Sequence, residues 1–333
     1  MDRMDFIQAV TRTRVLETRL LSRARIERMV DAKDIEEVIK ILGETEYANV
    51  IGGLTRVEEY EKILSSELKR VYKLMYEIAK ENRVVDLLAL KYDYHNLKVL
   101  VKEKLLQKDL EDLYIPIGTI DFQRLRSDYL AGNIRDMDMK FKQALESVEK
   151  DFDINHDPQR VDILLDRYYF EHLYKLAKET DIHLFIEYVQ DLIDFTNIKT
   201  LIRVKKQNKD IKFLEEAILS NGKIGINDMV LALNDSLEGI MNKFKNYRIS
   251  PEVRKGLEAY GESSRLSEFE RQMDNYLMNL NKPSKYINFG PEPIFSYVIA
   301  KETELKILRI IMVSKLNKLS PDNIRERLRD LYV

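Results

Sequence analysis

The sequence predicts an all-α fold, and three observations carry that prediction. Apolar residues recur at steps of three and four over long stretches. Charged side chains make up 34% of the chain against only 11 glycines and 7 prolines, which suits long amphipathic helices with ion-paired outer faces. No run alternates with period two between turn signals, as a strand requires.

Internal repetition then divides the fold. Lys91–Lys102 reads KYDYHNLKVLVK, and Asp194–Arg203 reads DFTNIKTLIR, in the shared order acid, aromatic, any residue, Asn, aliphatic, Lys, any residue, Leu, aliphatic, base. A weaker third copy, KETELKILRI, occupies Lys301–Ile310. The lysines at 98, 199 and 306 mark a period of roughly 105 residues. Two further echoes keep a similar offset. GTIDFQRLRSDYLAGNIRDMDMKF from Gly118 resembles GKIGINDMVLALNDSLEGIMNKF from Gly222, and YEIAKE at Tyr76–Glu81 returns as YKLAKE at Tyr174–Glu179. Three helical units are therefore expected, over 1–114, 115–218 and 219–333.

In order, the first helix is predicted from Asp5 to about Val30, with an apolar stripe of Phe6, Val10, Val15, Leu16 and Leu20 and most arginines off it. A short helix follows from Asp34 and stops at Gly43, and Gly52–Gly53 breaks the chain. Tyr60, Ile63, Leu64, Leu68, Val71, Met75 and Ile78 give a helix over Val57–Asn82. The next, Val84–Leu106, carries the first repeat motif, with Leu87, Leu90, Tyr94, Leu97 and Val101 on one face. Tyr114–Phe122 holds a Pro and a Gly and reads as a connector. The second unit has helices at Val161–Lys178 and Leu184–Lys206 with a turn at Thr180–Asp181. The third has Ser267–Leu280, a Gly-Pro loop, Phe295–Leu316 and a last short helix over Asp322–Tyr332.

Composition removes several kinds of chemistry. With 55 basic and 57 acidic side chains the net charge is −2, which argues against nucleic acid as the main partner, because phosphate neutralisation needs a basic footprint. There is no cysteine, so disulfides, zinc–thiolate sites and a thiol nucleophile are excluded. The charged N-terminal stretch has no secretory h-region, and no apolar run reaches the ~18–20 residues that span a bilayer. A soluble chain without a membrane-spanning segment is expected, although it can sit against a membrane complex.

Candidate sites are few. Asp93, Asn96 and Lys98 could form a polar site, repeated as Asp194, Asn197 and Lys199. In the third copy Glu304 stands in the Asn place, Lys306 keeps the Lys, and the leading acid is lost. A catalytic site seldom recurs three times in one chain with altered residues, whereas a packing motif does so readily. The expected role is structural, with Asn and Lys pairing between helices inside each repeat. His95, His156, His172 and His183 have no metal-ligand spacing. Asp191 and Asp194 form D-x-x-D, but the second acidic cluster of a magnesium–diphosphate site is missing. There is no phosphate loop, and Gly261–Ser264 is no nucleophile elbow. The basic run Arg203–Lys212 complements the end of its helix dipole. Tyr168–Tyr169–Phe170 reads as core or groove lining. No catalytic, cofactor or metal site is expected.

The residues also resemble a family. TRTRVLETRLLSRARIERMVDAKDIEEVIKIL from Thr11, the first two motif segments, and FGPEPIFSYVIAKETELKILRIIMVSKLN from Phe289 are similar to the C subunits of archaeal and bacterial V/A-type ATPases, the counterparts of the d subunit of the eukaryotic V-ATPase. The resemblance implies three helical bundles arranged as a funnel around a pseudo-threefold axis. It also implies a non-catalytic central-stalk role on the cytoplasmic face of the membrane, linking the D and F shaft subunits to the rotor ring of proteolipid subunits. A polar funnel lining is expected, since a bare apolar pit invites aggregation. A helical-repeat adapter outside the rotary ATPases is the alternative, disfavoured because solenoid repeats run to only 20–45 residues.

Overall fold

The computed structural model describes residues 1–52, 56–133 and 137–333. Among them 75% are helical and none forms a strand. No helix of these residues is long and apolar enough to cross a membrane. The chain separates into two compact units, one of 1–85 with 251–333 and the other of 86–250.

The first unit opens with α1 (Ile7–Glu17), α2 (Arg23–Asp31), α3 (Ile35–Leu42), α4 (Ala48–Ile51) and α5 (Tyr60–Ile78). The single opening helix expected over 5–30 is thus two. Its apolar stripe runs through the break, but Ser22 accepts from the Arg25 N–H and starts α2 afresh. Asp34 and Gly43 do bound α3 as expected. Gly52 ends α4, whereas Gly53 lies outside the described residues. From Arg83 to Leu106 runs α6, which leads into the second unit.

That unit contains α7 (Phe122–Leu130), α8 (Met139–Asn155), α9 (Pro158–Thr180), α10 (His183–Lys206), α11 (Ile211–Ala217), α12 (Ile226–Leu231) and α13 (Leu237–Lys243). Asp121 caps α7, and Asp181 makes the α9–α10 turn in a left-handed conformation. Residues 134–136, within the echo that runs from Gly118 to Phe141, lie outside the described set. Against α6, Tyr94 meets Phe141 of α8 at 5.4 Å and Tyr169 of α9 at 5.7 Å between ring centres. Tyr169 in turn touches Phe170, which is buried, whereas Tyr168 and Tyr169 are half-buried.

Returning to the first unit, α14 (Ser250–Ser263) leads to α15 (Ser267–Asn281), α16 (Glu292–Leu316) and α17 (Pro321–Arg325). The last helix is shorter than the expected Asp322–Tyr332, and residues 328–333 are irregular. Buried on every side from Glu292 to Lys301, α16 packs against α1 and α5. Its C-terminal half adds Ile307, Leu308, Ile311 and Met312 to a core with Met29, Val30, Val38, Leu42 and Ile63. Each such side chain contributes about 1.5–3 kcal/mol by leaving water. Arg3 fixes the start of α16 by bonding both oxygens of Glu292, at 2.8 and 3.1 Å. Gly290, at φ +120°, leaves room for that pair, since a Cβ there would lie 2.6 Å from the Arg3 guanidinium.

Candidate functional site

The repeat motif sits on α6, α10 and α16, and each copy holds a connector. On α6, one turn separates Asp93 from Asn96, so both face the same way. The Asn96 amide donates to the Ile115 carbonyl at 2.8 Å and accepts from the Ile115 N–H at 2.9 Å. A strand-like pair is thereby made by a side chain. Asp93 accepts from the Thr119 N–H (2.9 Å) and hydroxyl (2.8 Å). The backbone passes so close that a Cβ on Gly118 would stand 2.0 Å from the Asp93 Oδ1.

On α10 the arrangement returns almost atom for atom. Asn197 bonds the Leu219 carbonyl at 2.9 Å and N–H at 2.8 Å. Asp194 accepts from the Lys223 and Ile224 N–H groups at 3.0 and 3.1 Å. Gly222 takes the place of Gly118, with a virtual Cβ 2.2 Å from Asp194 Oδ1. All four motif side chains are buried. Burial, against the opposing backbone donors, lifts the Asp93 carboxyl to about 6 and the Asp194 carboxyl to about 7, the Asp194 value being raised further by the Asp191 charge.

The third copy changes the chemistry and keeps the grip. Glu304 of α16 accepts from the Leu21 N–H at 2.6 Å, in the connector between α1 and α2. Its other oxygen takes the Tyr47 hydroxyl at 2.6 Å and Lys301 Nζ at 2.8 Å. Lys301, in the place of the lost acid, also reaches Glu67 of α5 at 3.0 Å, and Arg70 holds Glu67 through two nitrogens. Lys301 and Glu67 are 0% exposed and Glu304 2%, so this is a fully desolvated charge triad. Despite burial, the two carboxylates keep the Lys301 ammonium above its ordinary range, and Arg70 and Lys301 hold Glu67 below the usual carboxylate value.

Sequence reading missed Glu67 and Lys301. A signal existed: Glu67 falls between Leu64 and Val71 at a register where the apolar stripe of α5 is buried. Two lysines of the motif brace neighbouring helices. Lys98 pairs with Asp166 of α9 at 2.6 Å, and Lys306 pairs with Asp274 of α15, which Arg329 also holds at 2.9 Å. Partners inside each repeat were expected, yet those of Asp93, Asn96 and Lys98 all lie beyond residue 114.

Several of the remaining candidates are engaged within the protein, and His156 is the left-handed cap that ends α8. Asp191 is fully buried and bonded by Lys223 at 2.7 Å and Arg248 at 3.0 Å, so the D-x-x-D carboxylates are already engaged by the protein. His172 contacts Tyr94 and is held down at about 4 by burial, with Lys140 adding to the effect. His95 bonds the Leu113 carbonyl, and His183 is exposed. Among the described residues no group of three or more His, Asp or Glu is placed to hold a metal ion.

Comparison with known proteins decides the family. A model of the ATP synthase (C/AC39) subunit family matches residues 9–327. The chain belongs to that family. Its relatives include the C subunit of the V-type sodium ATPase of Enterococcus hirae, 26% identical with 95% of each chain covered. The C subunit of the A-type ATP synthase of Methanocaldococcus jannaschii is also 26% identical, over 96% of this chain and 85% of the relative. That of Pyrococcus furiosus is 24% identical, over 95% and 88%. These relatives, from a bacterium and two archaea, thus cover nearly the full length of the chain.

Proposed function

We propose that the chain is a non-catalytic central-stalk subunit of a rotary V/A-type ATPase. In this reading its three units, 1–114, 115–218 and 219–333, surround a pseudo-threefold axis as a funnel with a polar lining. The funnel receives the D–F shaft, rests on the proteolipid ring at the cytoplasmic face, and passes torque between them. No cofactor, metal or nucleic acid enters this role.

Family membership over residues 9–327 carries the reading. The motif supports it physically. A part that transmits torque must resist shear, and a connector held by two side-chain bonds to one buried amide has little freedom to give. Lys98–Asp166 and Lys306–Asp274 brace helix against helix in the same way.

Reconstitution tests the proposal. The purified chain should co-elute with a D–F shaft complex, should bind detergent-solubilised rotor ring, and should bridge the two in one particle. Binding to neither would overturn the reading. ATP hydrolysis by the chain alone would replace it with an enzymatic one.

A further inference from the structure

Within the first unit, the α2 N-terminus, the α15 region and the segment after α17 enclose a cleft of about 500 Å³. Five cationic side chains line it: Arg23, Arg271, Lys282, Arg325 and Arg329. Only two acidic side chains, Glu27 and Asp330, share that lining. The imbalance runs against the chain as a whole, whose formal charge is −2.

Much of this charge is held in place and only partly spent. Arg329 is fixed through Nε by Asp274 and through Nη1 by the Arg327 carbonyl, and its side chain is 11% exposed. Arg271 grips Glu268 through Nε and Nη2, both at 2.7 Å. Each guanidinium has five N–H donors, so each keeps hydrogen-bonding capacity beyond these contacts. Arg325 is neutralised by Glu27, Asp31 and Asp322 and serves as a wall. Arg23 and Lys282 are different. Among the described residues neither has an ion-pair partner. The Lys282 charge is felt nearby: after burial, it is the next cause that holds the Lys285 ammonium below its ordinary value.

We propose that this cleft binds a small multivalent oxyanion of the phosphate class, a pyrophosphate group standing free or as the tail of a nucleotide. Planar guanidinium forks match phosphate oxygens two at a time, and Arg271 and Arg329 are preoriented for that by their own carboxylate partners. The two cations without an ion pair among the described residues, Arg23 and Lys282, beside the carboxylate-held guanidinium groups of Arg271 and Arg329, suit a diphosphate better than a single carboxylate. The volume lies within the range of small-molecule sites, about 300–1,000 Å³. Its apolar side is aliphatic, Ile26 with Leu328 and Leu331, and offers no aromatic ring to stack a base. Charge is therefore the main recognition element, and affinity falls with salt.

Calorimetric titration of the full chain at fixed ionic strength tests this with two probes, pyrophosphate and ATP. Saturable binding of pyrophosphate is expected, weakened by about tenfold or more in an Arg23→Glu/Lys282→Glu variant. Neither side chain has an ion-pair partner to lose, so the variant should keep the circular dichroism and melting temperature of the parent. Lys212→Glu, in the separate basic run after α10, should bind as the parent does. Equal affinity for both probes means that phosphate alone is read, and tighter ATP binding that the double variant also loses makes a nucleotide the source. No saturable binding of either probe up to about 5 mM overturns the proposal. So does undiminished binding by the double variant, or loss of binding in Lys212→Glu.

Discussion

At the scale of single residues, Asn197 does what a length of strand would do. Both of its amide bonds go to one buried backbone unit, Leu219. Asn197→Ala should strand that N–H and C=O and cost roughly 2–4 kcal/mol in urea unfolding. A loss below about 0.5 kcal/mol would mean that the connector holds itself. Asp194 and Gly222 make a second test, because they compete for one space. Gly222→Ala and Asp194→Ala should each destabilise, and the double variant should lose clearly less than their sum. Additive losses would remove the contact from the account. The same carboxylates set a pH dependence. Asp194 at about 7 and Asp93 at about 6 stand above the ordinary 3.8, so the native state keeps protons that the unfolded chain has released. Stability from this source is lost as pH rises from 3.8 to about 7. The urea midpoint of the parent should therefore fall between pH 5 and pH 8 by more than that of Asp93→Asn/Asp194→Asn. An equal fall in both would show that other groups set it.

At the scale of elements, the sequence reveals helices best where one face alone decides. Aspartate and glycine at the ends of α3 were legible because a local rule fixes each, and the turn at Thr180–Asp181 because the repeat copies differ in length there, though not its left-handed geometry. The break between α1 and α2 was not, for the apolar stripe continues through it and the Leu21 N–H is claimed by Glu304, 283 residues away. The motif was visible as a recurrence, yet its work was not, since a connector's backbone leaves no mark on the helix that holds it. The buried triad hid for another reason: its charges satisfy one another and leave α5 and α16 looking like ordinary amphipathic segments. Lys301→Met should expose how much rests on it. Glu304 would be left buried without a cation and Glu67 with Arg70 alone, at about 3–5 kcal/mol. A chemical-denaturation loss near zero would show that Glu67 or Glu304 simply takes up a proton.

For the whole molecule, the division into units is unequal in kind. Residues 86–250 are one continuous stretch with their own aromatic cluster, two connector grips and the Asp191 ion pairs. A fragment of 83–250 should fold alone, giving a helical circular dichroism spectrum and a cooperative thermal transition. A non-cooperative melt would mean that this stretch depends on the rest of the chain. The other unit is built from two segments that meet only when both are present.

The hydrogen bond from Leu21 to Glu304 therefore has a temporal side. A ribosome adds ~5–20 residues per second, so the first connector waits roughly 15–55 s for its acceptor to be synthesised. Throughout that interval the Leu21 N–H has no native partner and the apolar faces of α2 and α3 lack the α16 side chains that cover them. The middle of the chain can settle first, and the two ends close last. Nascent-chain arrest before residue 304 should leave the N-terminal helices open to protease, and arrest beyond α17, with the exit tunnel cleared, should protect them.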